Sequence, residues 1–157
     1  MKTLVVYYSR DGHTKKVAQE IASQLQADLE EIIDQTDRKG VWGWVHGGRD
    51  AMKQQDTTIG PVTRNPADYD LTIIGTPVWA WAMTPAVRTY LEQFKGQFKE
   101  MAYIVTSGGA KADTIVKGME ELAGKPAKGF LGLSGRDFRN TQSYQEKVKK
   151  FVESLRQ

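Results

Sequence analysis

No cysteine occurs in this 157-residue chain. Disulfides, thiolate nucleophiles, cysteine-phosphatase chemistry and cysteine metal sites are therefore excluded. Histidine is scarce as well. His13 and His46 are the only imidazoles, and neither sits in a cluster with metal-ligand spacing, so no metal is expected. Long hydrophobic runs are missing, and nothing approaches the length that a bilayer span needs. The N-terminal apolar run from Leu4 to Tyr8 stops at Ser9 and Arg10. It is too short for a signal-peptide core, and a cytoplasmic protein is the expectation. An excess of one charge sign is also lacking: 22 Lys and Arg against 19 Asp and Glu leave a formal charge of +3. Lys147, Lys149, Lys150 and Arg156 are interspersed with Glu146 and Glu153, which describes a solvated helix face and not a nucleic-acid patch. With no internal repeat or low-complexity tract, the length predicts one globular domain over residues 1–157.

What is present alternates between two periods. Apolar runs predict strands over Thr3–Tyr8, Asp28–Ile33, Leu71–Gly75, Ala102–Thr106 and Gly129–Leu133. Helical spacing predicts helices over His13–Gln26, Pro85–Phe94, Ala112–Ala123 and Thr141–Arg156. The last carries Tyr144, Val148, Phe151, Val152 and Leu155 on one face. Strands one and three are near-continuously hydrophobic, as expected of a parallel sheet covered on both faces. The βαβ rhythm predicts a doubly wound α/β sheet of five strands. Tyr7 and Tyr8 alternate across strand one, and both are expected to pack on the sheet faces.

The stretch between Asp34 and Asp70 breaks this rhythm. It holds Gly40, Trp42, Gly43, Trp44, His46, Gly47, Gly48 and Arg49. Connections this long are uncommon in compact domains and are often functional. A short helix is expected from Val45 to Lys53, with Trp42 and Trp44 as loop anchors and Gly40–Met52 as an ordered cover. His46 and Arg49 are weak candidates for site residues.

Ligands of open parallel sheets bind beyond the carboxyl ends of the strands, so the loops there carry the chemistry. After strand one comes Ser9-Arg10-Asp11-Gly12-His13-Thr14, immediately before a helix. Unsatisfied N–H groups and the positive end of the dipole make such a helix start suitable for a phosphate. After strand three comes Thr76-Pro77-Val78-Trp79-Ala80-Trp81, and after strand four Ser107-Gly108-Gly109. A receiver domain needs an aspartate after strand three, where Gly75-Thr76 stands. Neither Gly-x-x-x-x-Gly-Lys-Ser/Thr nor Gly-x-Gly-x-x-Gly is present. The order Asp11-Gly12-His13 is wrong for a cobalamin module.

Three loops in register, after strands one, three and four, resemble those of the flavodoxin family. The first is similar to its FMN phosphate loop, the second to the loop that sets an aromatic ring against the flavin, and the third to its remaining flavin-contacting loop. The resemblance implies a flavodoxin-like sheet of order 2-1-3-4-5 with helices on both faces. It implies FMN as cofactor. Ser9, Arg10, Asp11, Gly12, His13 and Thr14 would stand at the phosphate, Thr76, Pro77, Val78, Trp79, Ala80 and Trp81 along the ring, and Ser107, Gly108 and Gly109 at the pyrimidine edge. No residue is assigned a catalytic role, because the flavin carries the redox chemistry. The implied function is electron transfer with a redox partner protein. The alternative is an FMN-dependent NAD(P)H oxidoreductase acting on a quinone or similar acceptor. Two features depart from the family. Asp11 stands where a hydroxyl is usual, and a carboxylate there shapes the loop instead of binding phosphate. The sequence pI of 9.0 contrasts with the acidic surface typical of flavodoxin carriers.

Overall fold

The computed structural model describes residues 1–36, 57–109 and 111–157. Gly40–Met52, the Val45–Lys53 helix, Trp42, Trp44, His46 and Arg49 lie outside the described residues.

Strand β1 (Thr3–Tyr7) is buried along its whole length and lies inside the sheet, one strand from its edge. Its side chains divide by alternation. Leu4, Val6 and Tyr8 enter one core and Val5 and Tyr7 the other, so the two tyrosines pack on opposite faces. Helix α1 (His13–Leu25) buries Val17, Ala18, Ile21 and Ala22 against the second core. It ends at Gln26, whose left-handed backbone (φ 51°) turns its N–H back onto the Ala22 and Ser23 carbonyls.

The chain then forms β2 (Asp28–Glu31), a short 3-10 turn (Pro66–Asp68), β3 (Leu71–Trp79), β4 (Ala82–Met83) and α2 (Pro85–Gln93). It continues through β5 (Glu100–Ser107), α3 (Ala112–Ala123), β6 (Ala127–Ser134), α4 (Gly135–Arg139) and α5 (Thr141–Leu155). The parallel sheet has the order β2-β1-β3-β5-β6, with β4 pairing antiparallel to the end of β3. Setting that hairpin strand aside, the order is the expected one. Helices α1 and α5 cover one face, while α2 and α3 cover the other. Close approach fixes one glycine: a Cβ on Gly132 of β6 would stand 2.6 Å from the Ala112 Cβ of α3.

Helix boundaries agree with the sequence pattern to within a residue; β5 and β6 each begin two residues earlier and end one residue later than expected, and three larger features depart from the pattern. Strand β2 is shorter than expected. Ile32 still donates to the Tyr7 carbonyl (2.7 Å), but Ile33 is exposed. Strand β3 is longer, because it runs past the sheet into a hairpin. Helix α4 was not anticipated. It follows from a capping box in which the Asp137 carboxylate accepts from the Ser134 N–H (2.7 Å) and hydroxyl (3.0 Å).

The order of the strands positions the site. From β1 the chain moves to β2 on one side, then returns to β3 on the other. The carboxyl ends of β1 and β3 therefore flank the point where the winding reverses. Near the same end of the sheet, the described ends of the long connection meet. The Thr36 and Thr57 hydroxyls are 2.9 Å apart, Thr57 Oγ1 donates to Asp34 (3.0 Å), and the Thr57 N–H donates to Thr89 Oγ1 (2.9 Å).

Candidate functional site

A cavity of about 280 Å³ opens at this reversal point. The first loop contributes Arg10, Asp11 and His13, the second Pro77, Val78 and Trp79, and the third Ser107 and Gly108. The structure thus brings the three sequence-predicted loops to one place. Larger but shallower depressions lie elsewhere. One, at the amino ends of the strands, is lined by Met1, Thr3 and Arg156 among others. Another runs between α3 and β6. Neither involves the three loops, and in this sheet architecture the carboxyl end is where ligands are held.

The first loop is shaped by its own side chains. Gly12 takes φ 96°, a region open to glycine, and precedes the first residue of α1. Its N–H donates to Ser9 Oγ (3.1 Å). As the N-cap residue of α1, Gly12 has no side chain with which to cap the helix. The Asp11 carboxylate accepts a long hydrogen bond from the His13 N–H (3.3 Å) and lies 3.0 Å from His13 Nδ1. Partial burial alone would raise the Asp11 pKa. The His13 side-chain and backbone hydrogen bonds, with the charge of that ring, outweigh it and leave the pKa lowered. Asp11 therefore carries a charge inside the loop, directed at His13. The His13 ring in turn rests edge-on against Phe138 at 4.8 Å. Thr14 is fully buried, and its hydroxyl is 2.9 Å from Thr106 Oγ1 at the end of β5. Its methyl group explains Gly75, where an added Cβ would stand 3.1 Å from Thr14 Cγ2.

The second loop is a tight hairpin. Val78 pairs with Met83 and Trp79 with Ala82, leaving Ala80 and Trp81 as the turn. Both adopt positive φ, 46° and 66°, as the primed hairpin turns demand. Neither is a glycine, so each costs about 1 kcal/mol or more. Trp79 is buried, set edge-on to Tyr8 at 5.4 Å with the Arg10 guanidinium 5.7 Å from its ring. Trp81 is 79% exposed at the tip. Thr76 is fully buried: its hydroxyl donates to the Pro77 carbonyl (2.8 Å) and accepts from the Thr84 N–H (3.2 Å). It fastens the hairpin to the start of α2. In the third loop, Ser107 Oγ accepts from the Gly109 N–H (3.3 Å). Among the described residues, a Cβ on Gly108 or Gly109 would meet nothing within 4 Å, so they leave this backbone bare to an approaching group.

Three further residues line the cavity: Thr106, Gly135 and Phe138. Gly135 and Phe138 come from α4, beyond the last strand. The Ser134-x-x-Asp137 box was the signal for this element, since the rule that loops after strands carry the chemistry applies to β6 as well. Asp137 holds α4 in place. Its carboxylate also accepts from Ser143 Oγ (2.7 Å) and Lys147 Nζ (3.0 Å). Burial opposes ionisation there, but these bonds prevail and hold the Asp137 pKa far below the usual carboxylate range.

The whole arrangement offers a phosphate-sized helix start, an apolar aromatic wall and a bare glycine backbone around one cavity. Comparison with known proteins agrees with it. The sequence model of the family described as Flavodoxin matches residues 2–155. Among solved structures, a flavoprotein from Lactobacillus acidophilus NCFM, in complex with FMN, is 27% identical with a TM-score of 0.73, over 88% of this chain and 96% of that one. The apo-form of the flavoprotein from that organism is 25% identical with a TM-score of 0.61, over 88% and 95%. The Trp repressor binding protein from Bacillus subtilis shares the fold at 14% identity, with a TM-score of 0.62 over 94% and 99%.

Proposed function

The chain belongs to the flavodoxin family, and on that premise we propose that it is an FMN protein that passes electrons through its flavin, acting as one domain over residues 1–157. The convergence of three loops on one cavity at the start of α1 carries this conclusion. The residues present fit the cofactor. The Ser9–Thr14 loop meets a helix start whose N-cap residue, Gly12, has no side chain of its own; Asp11 accepts from the His13 N–H there, and Arg10 stands at the cavity edge. A phosphate monoester there accepts from helix N–H groups and gains from the dipole. Trp79 supplies a flat apolar wall for the ring, and Trp81, at the exposed hairpin tip, adds a second indole. Gly108 and Gly109 leave room for the pyrimidine edge beside the main chain.

FMN, when bound, supplies the redox chemistry itself. The chain binds and orients it. Thr14 and Thr76 act from beneath the surface: Thr14 ties the phosphate loop to β5, while Thr76 ties the hairpin to α2. Trp79 and Phe138 keep water from the cavity walls that they form. Among the described residues no helix is long and apolar enough to cross a membrane, and a diffusible partner protein fits the carrier role.

A second function has one specific observation in its favour. The net charge of +3 does not suit a carrier steered to basic partners, and an FMN-dependent NAD(P)H oxidoreductase acting on a quinone has no such need. Rapid mixing of the FMN-loaded protein with NADPH and with NADH, in the presence and absence of menadione, separates the two. A carrier is not reduced directly but is reduced through a partner reductase. Direct bleaching with turnover of the quinone overturns the carrier assignment.

A further inference from the structure

Asp11 presents a problem that the FMN assignment does not remove. It places a carboxylate inside a loop proposed to hold a phosphate, where like charge is repulsive. His13 is placed to offset it, with its Nδ1 3.0 Å from the Asp11 carboxylate. The two are about half-exposed, with side-chain exposures of 54% for His13 and 64% for Asp11, and both line the cavity. The imidazole also packs edge-on against Phe138 of α4 at 4.8 Å. We infer that His13 and Asp11 form a charge-compensated pair that makes FMN affinity depend on pH, with the protonated imidazole cancelling the carboxylate and the neutral imidazole leaving it to repel the phosphate. This rests on the FMN assignment and adds a mode of regulation to that site.

The surrounding charges leave the pair to act locally. On the loop, Arg10 is directed over the Trp79 ring. On α1, Lys16 lies over the Tyr144 ring (5.1 Å). From α5, Tyr144 donates to Glu20 of α1 (2.7 Å). From α4, Phe138 is the contact and carries no charge. Asp137 is bonded to Ser134, Ser143 and Lys147, while Arg136 and Arg139 lie on the same short helix. A carboxylate is ionised at neutral and mildly acidic pH, so the charge on the imidazole decides that of the pair. That charge is zero with imidazolium and minus one without it.

The test is FMN titration, followed by flavin fluorescence, at about pH 5.5 and about pH 8.5, on either side of the range in which histidines titrate. Wild type, Asp11→Ser and His13→Asn are compared, with riboflavin as a ligand that lacks the phosphate. Phosphate monoesters also titrate in this range, so the difference between variants is read. Wild type should lose roughly tenfold more affinity on raising the pH than His13→Asn does, the size of a one-charge change near an exposed anion. Asp11→Ser should bind FMN more tightly than wild type at the higher pH. Riboflavin should show no difference between the proteins in its pH dependence. Equal FMN slopes in wild type and His13→Asn overturn the pair, as does an Asp11→Ser variant no tighter than wild type. Failure of all three proteins to bind FMN at either pH, with circular dichroism showing them folded, overturns the FMN assignment itself.

Discussion

Replacing Asp137 with alanine should destabilise the protein and loosen the α4 wall of the cavity together. The carboxylate accepts four hydrogen bonds: Ser134 N–H, Ser134 Oγ, Ser143 Oγ and Lys147 Nζ. Loss of a capping carboxylate costs about 1 kcal/mol. Hydrogen bonds to a charged acceptor contribute about 1.5–3 kcal/mol net, and the freed Ser134 and Ser143 hydroxyls, both half-buried, regain part of this from water, which leaves about 2 kcal/mol from the remaining bonds together. Lys147 is half-exposed and regains water, which reduces its share. A net loss of about 3 kcal/mol follows, equivalent to roughly 6–12 °C in Tm for a domain of this size. The effect has a pH signature. The folded-state pKa of Asp137 lies below its unfolded value, so the unfolded chain takes up the proton first. The stabilisation is present in full above the ordinary carboxylate pKa of about 3.9 and drains away as pH falls toward the folded value. Thermal unfolding of wild type and Asp137→Ala at about pH 7 and about pH 3 measures this; the gap should narrow in acid. A Tm difference under about 2 °C at neutral pH, or a gap that does not narrow, refutes the role assigned to this carboxylate.

Gly132→Ala forces a Cβ to within 2.6 Å of Ala112 and should cost about 1–3 kcal/mol in denaturant unfolding, since strand and helix backbones must separate. Tyr90 is fully buried, and its hydroxyl has no hydrogen-bond partner among the described residues, so Tyr90→Phe should be neutral or stabilising by up to about 1 kcal/mol; a clear loss would reveal a partner for that hydroxyl. Ala80→Gly relieves a left-handed residue in the hairpin turn (φ 46°) and should raise stability by about 0.5–1 kcal/mol, an effect absent if the turn is not strained.

Much of the sheet was legible because its central strands are buried on both faces. Strands β1, β3 and β5 therefore appear as apolar runs, and the helices between them show plain 3.6-residue spacing. The hairpin was not legible. Its turn residues, Ala80 and Trp81, lack the glycine or asparagine by which primed turns are usually recognised, so β3 was expected to stop at Gly75. Helix α4 is too short to display a period, and only the Ser134–Asp137 box announces it. In the site, loop membership was readable but side-chain direction was not. Thr14 and Thr76 stand in loops beside a phosphate or a ring, yet both are fully buried and bonded within the fold. A hydroxyl in a loop has the same sequence signature whether it faces a ligand or a neighbouring strand. Phe138 reaches the cavity from an element remote in sequence, through packing against His13, which no local pattern encodes.

The central claim, that the cavity between the three loops holds FMN, is tested most directly by titrating the purified protein with FMN while recording flavin fluorescence, beside the Trp79→Ala variant. Saturable binding of one FMN per chain, with quenching that weakens along with affinity when Trp79 is removed, is the predicted result. A folded protein that leaves FMN fluorescence unchanged, or a Trp79→Ala variant with the affinity and quenching of wild type, would contradict it.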